Sequence, residues 1–499
     1  MTDYIIVQAG GKGTRMEYLT KNKPKCMVPI NNLPMLFHLF RKYPDKKFII
    51  IGDYKYDVLK KYLAVFSKVS YLLVDARGHC GTCAGIKDAM KYIPNNEKFM
   101  LIWSDLILPK EYVMPDGKGN YIGLSGDFKC RWRYQEGAFE EIPSIEDGVA
   151  GLFVFEDKGI LECVPEDGEF VAWLKNQNMV FNELRLSKTK EYGIIAEYNK
   201  LVPQKCRPFN RMTVEEDRIL KEGIDEQGKK LAIREKAWYK HLESLGYDRI
   251  PHIYSYDPFV MEKINGKNIY EYKDISIEDK KEILSRIIDN LKDLHSLEKN
   301  NTDYFSIKET YIDKTFDRLN KIRDLVPFAE NRYITINERK CRNIFFYKDE
   351  LEKILNGYRV NNFELIHGDC TFSNMMLDEY MRPILIDPRG YFGKVELFGD
   401  PAYDWAKLYY SVVGNYDQFN LKKFKLDILN DGVRLNIESN GWESLEKYFF
   451  ELLAQEVSEY DIKLLHALIW LSLTTYAWED YDSICGAFYN GLYYLEEVL

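Results

Sequence analysis

Short apolar runs and helically spaced apolar residues take turns over roughly the first 110 residues. Tyr4–Val7 is an apolar strand that ends in a glycine-rich loop. Leu33–Arg41 reads as a helix, and Lys47–Tyr54 ("KFIIIGDY") as a buried strand closed by a turn. Tyr56–Phe66 has helical apolar spacing, "YLLVDA" is a strand, "AGIKDAMKYI" a helix and "KFMLIWSDLIL" a strand. Such alternation predicts a parallel sheet covered on both faces. Ligands on such sheets bind at the carboxyl ends of the strands. The glycine loop and Asp105 both follow strands at that end.

From about residue 205 the pattern changes. "RMTVEEDRILKEGI" reads as a hairpin, and residues 228–246 as a helix with Leu231, Trp238, Leu242 and Leu245 as its apolar stripe and a glycine at its end. "DPFVMEKINGK" is a strand running into a turn. Mostly helices follow, interrupted near 363–390 by short strands, and the last 60 residues are helical and aromatic. The pattern change alone places a junction at 198–206, giving domains 1–200 and 201–499.

Composition agrees with more than one core. A chain of 499 residues is too long for a single ordinary domain. Apolar content of 46% with 29% charged residues fits a soluble globular protein. The net charge of -9 argues against a nucleic-acid partner or an anionic-membrane surface, but leaves room for a local basic cleft. No apolar run is long enough to span a bilayer, and the first residues enter a strand without a secretory signal. With nine cysteines, the expectation is reduced thiols in a cytoplasm. Cys80 and Cys83 form C-x-x-C in "HCGTCAG". A zinc or redox role needs a second ligand pair or a thioredoxin-like context, so the stretch is read as a loop entering a helix.

Two stretches carry the chemistry. In "IVQAGGKGTRM", Gly10, Gly11 and Gly13 let phosphates approach the backbone, and Lys12 and Arg15 supply charge. The spacing is neither that of a P-loop nor that of a dinucleotide fingerprint. "GGKGTRM" followed by "KPKCMVP", with Lys25 after Pro24, resembles the sugar-phosphate nucleotidyltransferases, including phosphocholine cytidylyltransferases, over roughly 1–197. "GTCAGI" resembles their base-side loop, and "WSDLIL" their strand ending in a metal-binding Asp. "EYGIIAEY" resembles their late acidic segment, with Glu191 in place of Asp and Ile194 in place of a small hydroxylated residue. The resemblance implies a Rossmann-like α/β domain with a mostly parallel sheet. It implies nucleotide binding by Gly10, Gly11, Lys12, Gly13, Thr14, Gly81 and Thr82. Arg15 would hold the triphosphate, Lys25 would neutralise the attacking phosphate, and Asp105 with Glu191 would hold Mg²⁺.

The second stretch is "IHGDCTFSN", Ile366 to Asn374. An Asp beside a substrate hydroxyl accepts its proton, and an Asn five residues later reaches a metal from the same loop. Asp369, Asn374 and then Asp387 in "ILIDPRG" keep that order, with Gly368 where protein kinases have Arg. The set resembles the aminoglycoside phosphotransferase and choline kinase superfamily over roughly 205–499, and "GDPAYDWAKL" resembles its following segment. The resemblance implies a two-lobed, protein-kinase-like α+β domain with a small lobe at about 205–266 and a helical lobe at about 267–499. It implies Asp369 as catalytic base, Asn374 and Asp387 on Mg²⁺, Lys221 on the ATP phosphates and Glu235 holding that lysine. "FVMEKINGK" would be the adenine-side hinge. His367 is read as a buried structural histidine, and Asp404 as a tie between loop and helix. The aromatic and acidic segment 469–482 could line an acceptor pocket, but core packing is the better reading.

One set of residues makes a phosphate monoester and the other consumes one. The expectation is a bifunctional enzyme. ATP phosphorylates a small sugar, polyol or amino alcohol. A second nucleotide (CTP, UTP or GTP) then activates the product for cell-surface glycan or capsule synthesis. Alternatives are a choline or ethanolamine kinase joined to a phosphocholine cytidylyltransferase, an antibiotic-modifying phosphotransferase, or a kinase with a nucleotide-sensing first half.

Overall fold

The computed structural model describes residues 2–201 and 210–499. It divides into two compact units: Met1–Pro203 with Glu479–Asp482, and Gln204–Trp478 with Ser483–Leu499. The expected junction at 198–206 overlaps residues that lie outside the described ones, as does the expected start of the small lobe near 205.

In the first unit, Tyr71–Asp75, Lys47–Gly52, Tyr4–Gln8 and Phe99–Trp103 lie side by side in that order, all parallel. Gly148–Phe155 adds to Phe99–Trp103 antiparallel, and Tyr121–Ser125 pairs with it in turn. Ile5, Ile6, Val7, Ile49, Ile50, Leu101 and Ile102 are all buried, as strands covered on both faces require. Gln8 stands opposite both Ile51 and Trp103, and Gly52 opposite Asp75, so the four parallel strands finish along one edge. The chain leaves Tyr4–Gln8 for a neighbour on one side and later returns to its other side. The glycine loop after Gln8 therefore sits at the topological switch point, where such sheets open a crevice.

In the second unit, Tyr333–Ile336, Arg339–Arg342, Phe424–Ile428 and Gly432–Ile437 form a sheet where mostly helices were expected. In the first unit three expected elements differ, each for a local reason. The first helix is Met35–Lys42, because Leu33–Pro34 pairs with Pro29–Ile30 instead. The helix expected at 84–93 is shortened to Ile86–Met90. Gly85 before it has φ 75, and a Cβ there would lie 2.5 Å from Ile51 Cγ2. The strand expected over 98–108 stops at Trp103 and resumes as Leu106–Ile107, which pairs with Lys190–Glu191.

In the second unit, Asn210–Val214, Arg218–Gly223, Phe259–Glu262 and Ile253–Tyr256 form an antiparallel sheet in that order. The helix Glu226–Ser244 follows, capped by Asp225, whose side chain accepts from the Gly228 N–H at 2.8 Å. Its Trp238, Tyr239 and Leu242 are buried. They share one core with Ile283, Leu284, Ile287 and Leu291 of helix Ile277–Ser296 and with Trp405, Leu408, Tyr409 and Val412 of helix Pro401–Val412. Against that core sit Phe363–Leu365, Met375–Leu377 and Pro383–Leu385, which carry the second motif. Trp470, in helix Glu459–Leu473, packs on Tyr410 and Phe419 at 4.6 and 5.0 Å between ring centres, so Trp470 is core, whereas Tyr476 of the aromatic segment 469–482 is exposed. Among the described residues no helix is long and apolar enough to cross a membrane.

Candidate active sites

The glycine loop of the first unit is tied down by backbone hydrogen bonds. Ala9 N–H donates to Ile51 O at 2.9 Å, and Tyr54 N–H to Gly10 O at 3.3 Å. Lys25 N–H donates to Gly11 O at 3.4 Å. A Cβ on Gly10 would lie 2.9 Å from Asp53 Cβ. Gly13, at φ 64, packs against Lys25, whose Cβ would be 3.0 Å from the missing one. Lys12, Thr14 and Arg15 are exposed on the rim of this loop, and Lys12 lies 5.7 Å from the Tyr54 ring centre. Gly81 and Thr82 lie on the loop after the strand Tyr71–Asp75. Gly81 has φ 87, and a Cβ there would strike Gly168 O at 2.2 Å. The Thr82 hydroxyl accepts from Phe170 N–H at 2.8 Å, and its carbonyl accepts from Gln8 Nε2 at 2.6 Å.

Beneath the rim, Lys25 is buried and its ammonium pairs with Asp105 Oδ2. Asp105 occupies the break after Trp103. The pairing of Leu106 with Glu191, and a hydrogen bond from Tyr192 N–H to Asp105 O at 3.1 Å, bring Glu191 to the same place. Burial, then repulsion from Asp105, raises the Glu191 carboxyl above its ordinary range, while Lys25 and Arg15 oppose the rise. Gly193 leaves the room these groups use: a Cβ there would meet Glu191 Oε1 at 2.1 Å and Lys25 Nζ at 3.4 Å. Asp105 Oδ1 is buried and has no hydrogen-bond partner among the described residues. In the C-x-x-C stretch, Cys80 is exposed and Cys83 buried, and burial pushes the Cys83 thiol up to about 11.

In the second unit, Lys221 of the strand Arg218–Gly223 donates to Glu235 Oε1 at 2.6 Å and pairs with Asp387. Burial works against its charge, but Asp387 and Glu235 raise the lysine well above its usual range. Asp387 has φ 55, a left-handed backbone that turns the chain immediately after the buried strand Pro383–Leu385 and Ile386. Asn374 Nδ2 donates to both the carbonyl and the carboxylate of Asp369 at 2.9 Å, which fixes the two across the loop. Lys407 Nζ lies 2.9 Å from Asp369 Oδ1. Burial pushes the Asp369 carboxyl up, but Lys407 outweighs it and holds the group below the usual carboxylate range. Asp369 is therefore an ionised acceptor at neutral pH.

The loop around Asp369 is built by buried polar groups. Asp404 accepts from His367 N–H at 2.8 Å and Gly368 N–H at 2.7 Å, and pairs with His295 at 3.1 Å. His367 Nδ1 accepts from Asp369 N–H at 3.2 Å and its Nε2 faces Ile386 O at 2.9 Å, so the ring is neutral with the proton on Nε2. Burial holds its pKa down, which agrees. Trp238 Nε1 donates to Ile366 O at 2.8 Å, fastening the loop's first residue to the helix that carries Glu235.

Residues 5–115 match the MobA-like NTP transferase domain, and residues 213–425 match the phosphotransferase enzyme family. Both domains belong to transferase families. The chain is 34% identical over 102 residues to a D-glycero-alpha-D-manno-heptose 1-phosphate guanylyltransferase of Campylobacter jejuni, covering 19% of this chain and 45% of that protein. It is 30% identical over 126 residues to a glucose-1-phosphate cytidylyltransferase of Salmonella typhimurium, covering 20% of this chain and 49% of that protein. The chain thus spans about half the length of these two relatives. Among solved structures it is similar to the inositol-1-phosphate CTP transferase from T. maritima, with 16% identity, a TM-score of 0.35 and coverage of 40% of this chain and 92% of that one.

The NTP transferase domain thus gathers Lys25, Asp105 and Glu191 at one point, with the glycine loop, Lys12 and Arg15 above it. The phosphotransferase domain gathers Lys221, Glu235 and Asp387, and separately Asp369 with Asn374. Sequence reasoning missed Lys407. It lies in the quoted "GDPAYDWAKL", one turn beyond Asp404, and only the fold shows that it reaches Asp369. It also missed Arg389, which stands two residues after Asp387 and lies against Gly368. Among the described residues no three His, Cys, Asp or Glu side chains gather in a metal-holding group. Two protein ligands suit Mg²⁺, which keeps water and substrate phosphate as its other ligands. The unpartnered Asp105 Oδ1 beside Glu191 fits such an ion. So does the pair Asn374 and Asp387, joined through Ile386 N–H donating to Asn374 O at 3.0 Å.

Proposed function

We propose that this chain phosphorylates a small sugar, polyol or amino alcohol with ATP and then couples the monoester to a second nucleotide. In the first step the acceptor hydroxyl oxygen bonds to the γ-phosphorus of ATP. The bond from that phosphorus to the β–γ bridging oxygen breaks, ADP leaves with the electron pair, and the hydroxyl proton passes to Asp369. Asn374 and Lys407 orient that carboxylate. Lys221, steadied by Glu235, holds the α- and β-phosphates. In the second step a monoester oxygen bonds to the α-phosphorus of CTP, UTP or GTP, and pyrophosphate leaves. The glycine loop, Lys12 and Arg15 hold the triphosphate, Thr14 and the Gly81–Thr82 loop complete the nucleotide site, and Lys25 faces the incoming monoester. Mg²⁺ held by Asp105 and Glu191, and by Asn374 and Asp387, would offset phosphate charge in each step.

The observation that carries this reading is the buried meeting of Lys25, Asp105 and Glu191 in a chain that also holds the ionised Asp369 between Asn374 and Lys407. One half is equipped to consume the kind of product the other half makes. The product serves as an activated building block for cell-surface glycans, made in the cytoplasm. The test is mass spectrometry of the protein incubated with ATP, one of the three other nucleotides, Mg²⁺ and a panel of alcohols and sugars. A nucleoside-diphosphate-linked acceptor is the expected product.

A further inference from the structure

Lys314, Arg318 and Arg389 of the phosphotransferase domain form no ion pair with a carboxylate among the described residues. Lys314 and Arg318 stand one turn apart on helix Lys314–Ile322, so they share a face. Arg318 donates to the Ser472 hydroxyl at 3.0 Å and to the Ser472 carbonyl. Arg389 stacks on Tyr391 at 4.3 Å and donates to the Tyr403 hydroxyl at 3.0 Å. Arg389 also lies against Gly368, next to Asp369: the missing glycine Cβ would be 3.0 Å from Arg389 Cβ. Lys407, one turn beyond Tyr403 on helix Pro401–Val412, completes the group; it pairs with Asp369, whose charge also favours the Arg389 guanidinium.

The Lys314 ammonium makes no hydrogen bond and no ion pair among the described residues, although the residue is partly buried. Burial, and then Arg389, Arg318 and Lys407, hold its ammonium well below the ordinary range, while Glu309 pulls the other way. Against its burial, Arg389 is supported by Tyr403, Tyr391 and Asp369, but Lys314 and Arg318 are both disfavoured, first by burial and then by Arg389. A ligand that brings negative charge removes the penalty, and guanidinium forks match carboxylate and phosphate oxygens. These groups come from elements other than the strand and helix that carry Lys221 and Glu235.

We propose that the acceptor alcohol carries an anionic group, phosphate or carboxylate, which Lys314, Arg318 and Arg389 bind while Asp369 takes the proton of its hydroxyl. The inference rests on the kinase reading above. It narrows the substrate class away from cationic acceptors such as aminoglycosides, choline and ethanolamine. The transfer itself is unchanged: oxygen bonds to the γ-phosphorus, ADP leaves, and the anionic group takes no part in bond making.

The test is titration calorimetry on the full chain loaded with Mg²⁺ and a non-hydrolysable ATP analogue. The probes are inorganic phosphate, glycerol 3-phosphate, glycerate, glycerol and choline. The anions should bind at least about tenfold more tightly than glycerol and choline, and the two organic anions separate phosphate from carboxylate preference. Lys314→Met should abolish that difference, Lys314→Arg should keep it, and neither should alter affinity for the ATP analogue. Arg318→Gln is the second variant, and thermal unfolding reports whether each is folded. Equal binding of neutral or cationic probes, or no anion binding at 10 mM (about -2.7 kcal/mol), overturns the proposal. So does a loss of ATP-analogue affinity in Lys314→Met, which would assign these cations to the nucleotide. Labelled ATP then separates the two claims. Anion discrimination without phosphate transfer defeats the kinase reading alone, and transfer to choline or glycerol in preference to anions defeats this inference alone.

Discussion

Replacing Lys25 with Met removes the one cation that the fold buries between the nucleotide loop and the two carboxylates. Its side chain is 11% exposed and that of Asp105 15%, so water screens the pair poorly. Breaking a buried pair by deleting one partner costs about 3–5 kcal/mol. Glu191 is already pushed toward its neutral form. Without Lys25 it can protonate and relieve part of the repulsion, so a loss of about 2–3 kcal/mol is expected. For a domain of this size that is a fall of about 5–10 °C in Tm. The rate should suffer separately. A charge that strengthens its contact as the attacking oxygen closes on phosphorus is worth about 10²-fold in kcat. The assay is steady-state pyrophosphate release with a supplied monoester, at a temperature where the variant is folded, with Lys25→Arg as the partial rescue. Phosphorylation by the other domain serves as internal control. An unchanged kcat in a folded Lys25→Met would refute the reasoning, because among the described residues no other buried cation pairs with Asp105.

Two further predictions concern buried acids and one a glycine. The Glu191 carboxyl is raised by burial and by Asp105, so a Mg²⁺ held as proposed by Asp105 and Glu191 would have to displace a proton from it as the pH falls through that raised range. Mg²⁺ activation of pyrophosphate release should weaken toward acid pH in the wild type, and Glu191→Gln should flatten that dependence while lowering affinity at neutral pH. Asp417 is buried, accepts from Ser373 N–H at 2.9 Å, and is pushed up by burial to about 6. Its folded value lies above the unfolded one, so its contribution is favourable below about pH 4 and is lost as pH rises through about 6, by about 3 kcal/mol at most. Asp417→Asn should therefore gain Tm relative to wild type between pH 4 and 7 in differential scanning calorimetry, and a constant difference would contradict the assignment. Gly81→Ala places a Cβ 2.2 Å from Gly168 O at φ 87. It should cost about 2–4 kcal/mol and raise KM for the nucleotide, as measured by denaturation and by pyrophosphate release.

The parallel strands were legible because each is a short apolar run whose neighbours on both faces are helices, and the glycine loop because it punctuates the first of them. Asp105 was legible only as part of an ordered motif. Its partnership with Glu191 was expected from the resemblance alone and not from periodicity, because the pairing of Leu106–Ile107 with Lys190–Glu191 is a long-range contact between two-residue strands with no pattern of their own. The same break explains why one continuous strand was expected over 98–108. Lys221 and Glu235 could be put in order by their place on a strand and the next helix. Lys407 and Lys314 could not. On a helix a lysine that faces solvent and one that faces a site have the same spacing, and only packing tells them apart. The buried tie of Asp404 to His295 and to two backbone amides was legible in part, as a link between loop and helix.

The account stands on two separable chemistries in one chain. The direct measurement is mass spectrometry of the reaction with ATP, a second nucleotide, Mg²⁺ and the acceptor panel, run with wild type, Asp369→Asn and Asp105→Asn. The wild type should yield first the phosphorylated acceptor and then its nucleoside-diphosphate derivative. Asp369→Asn should form the derivative only when the monoester is supplied, and Asp105→Asn should stop at the monoester. Phosphorylation by Asp369→Asn within about tenfold of wild type would contradict the assignment of the base, and an acceptor panel that gains no phosphate from ATP in the wild type would contradict the two-step account itself.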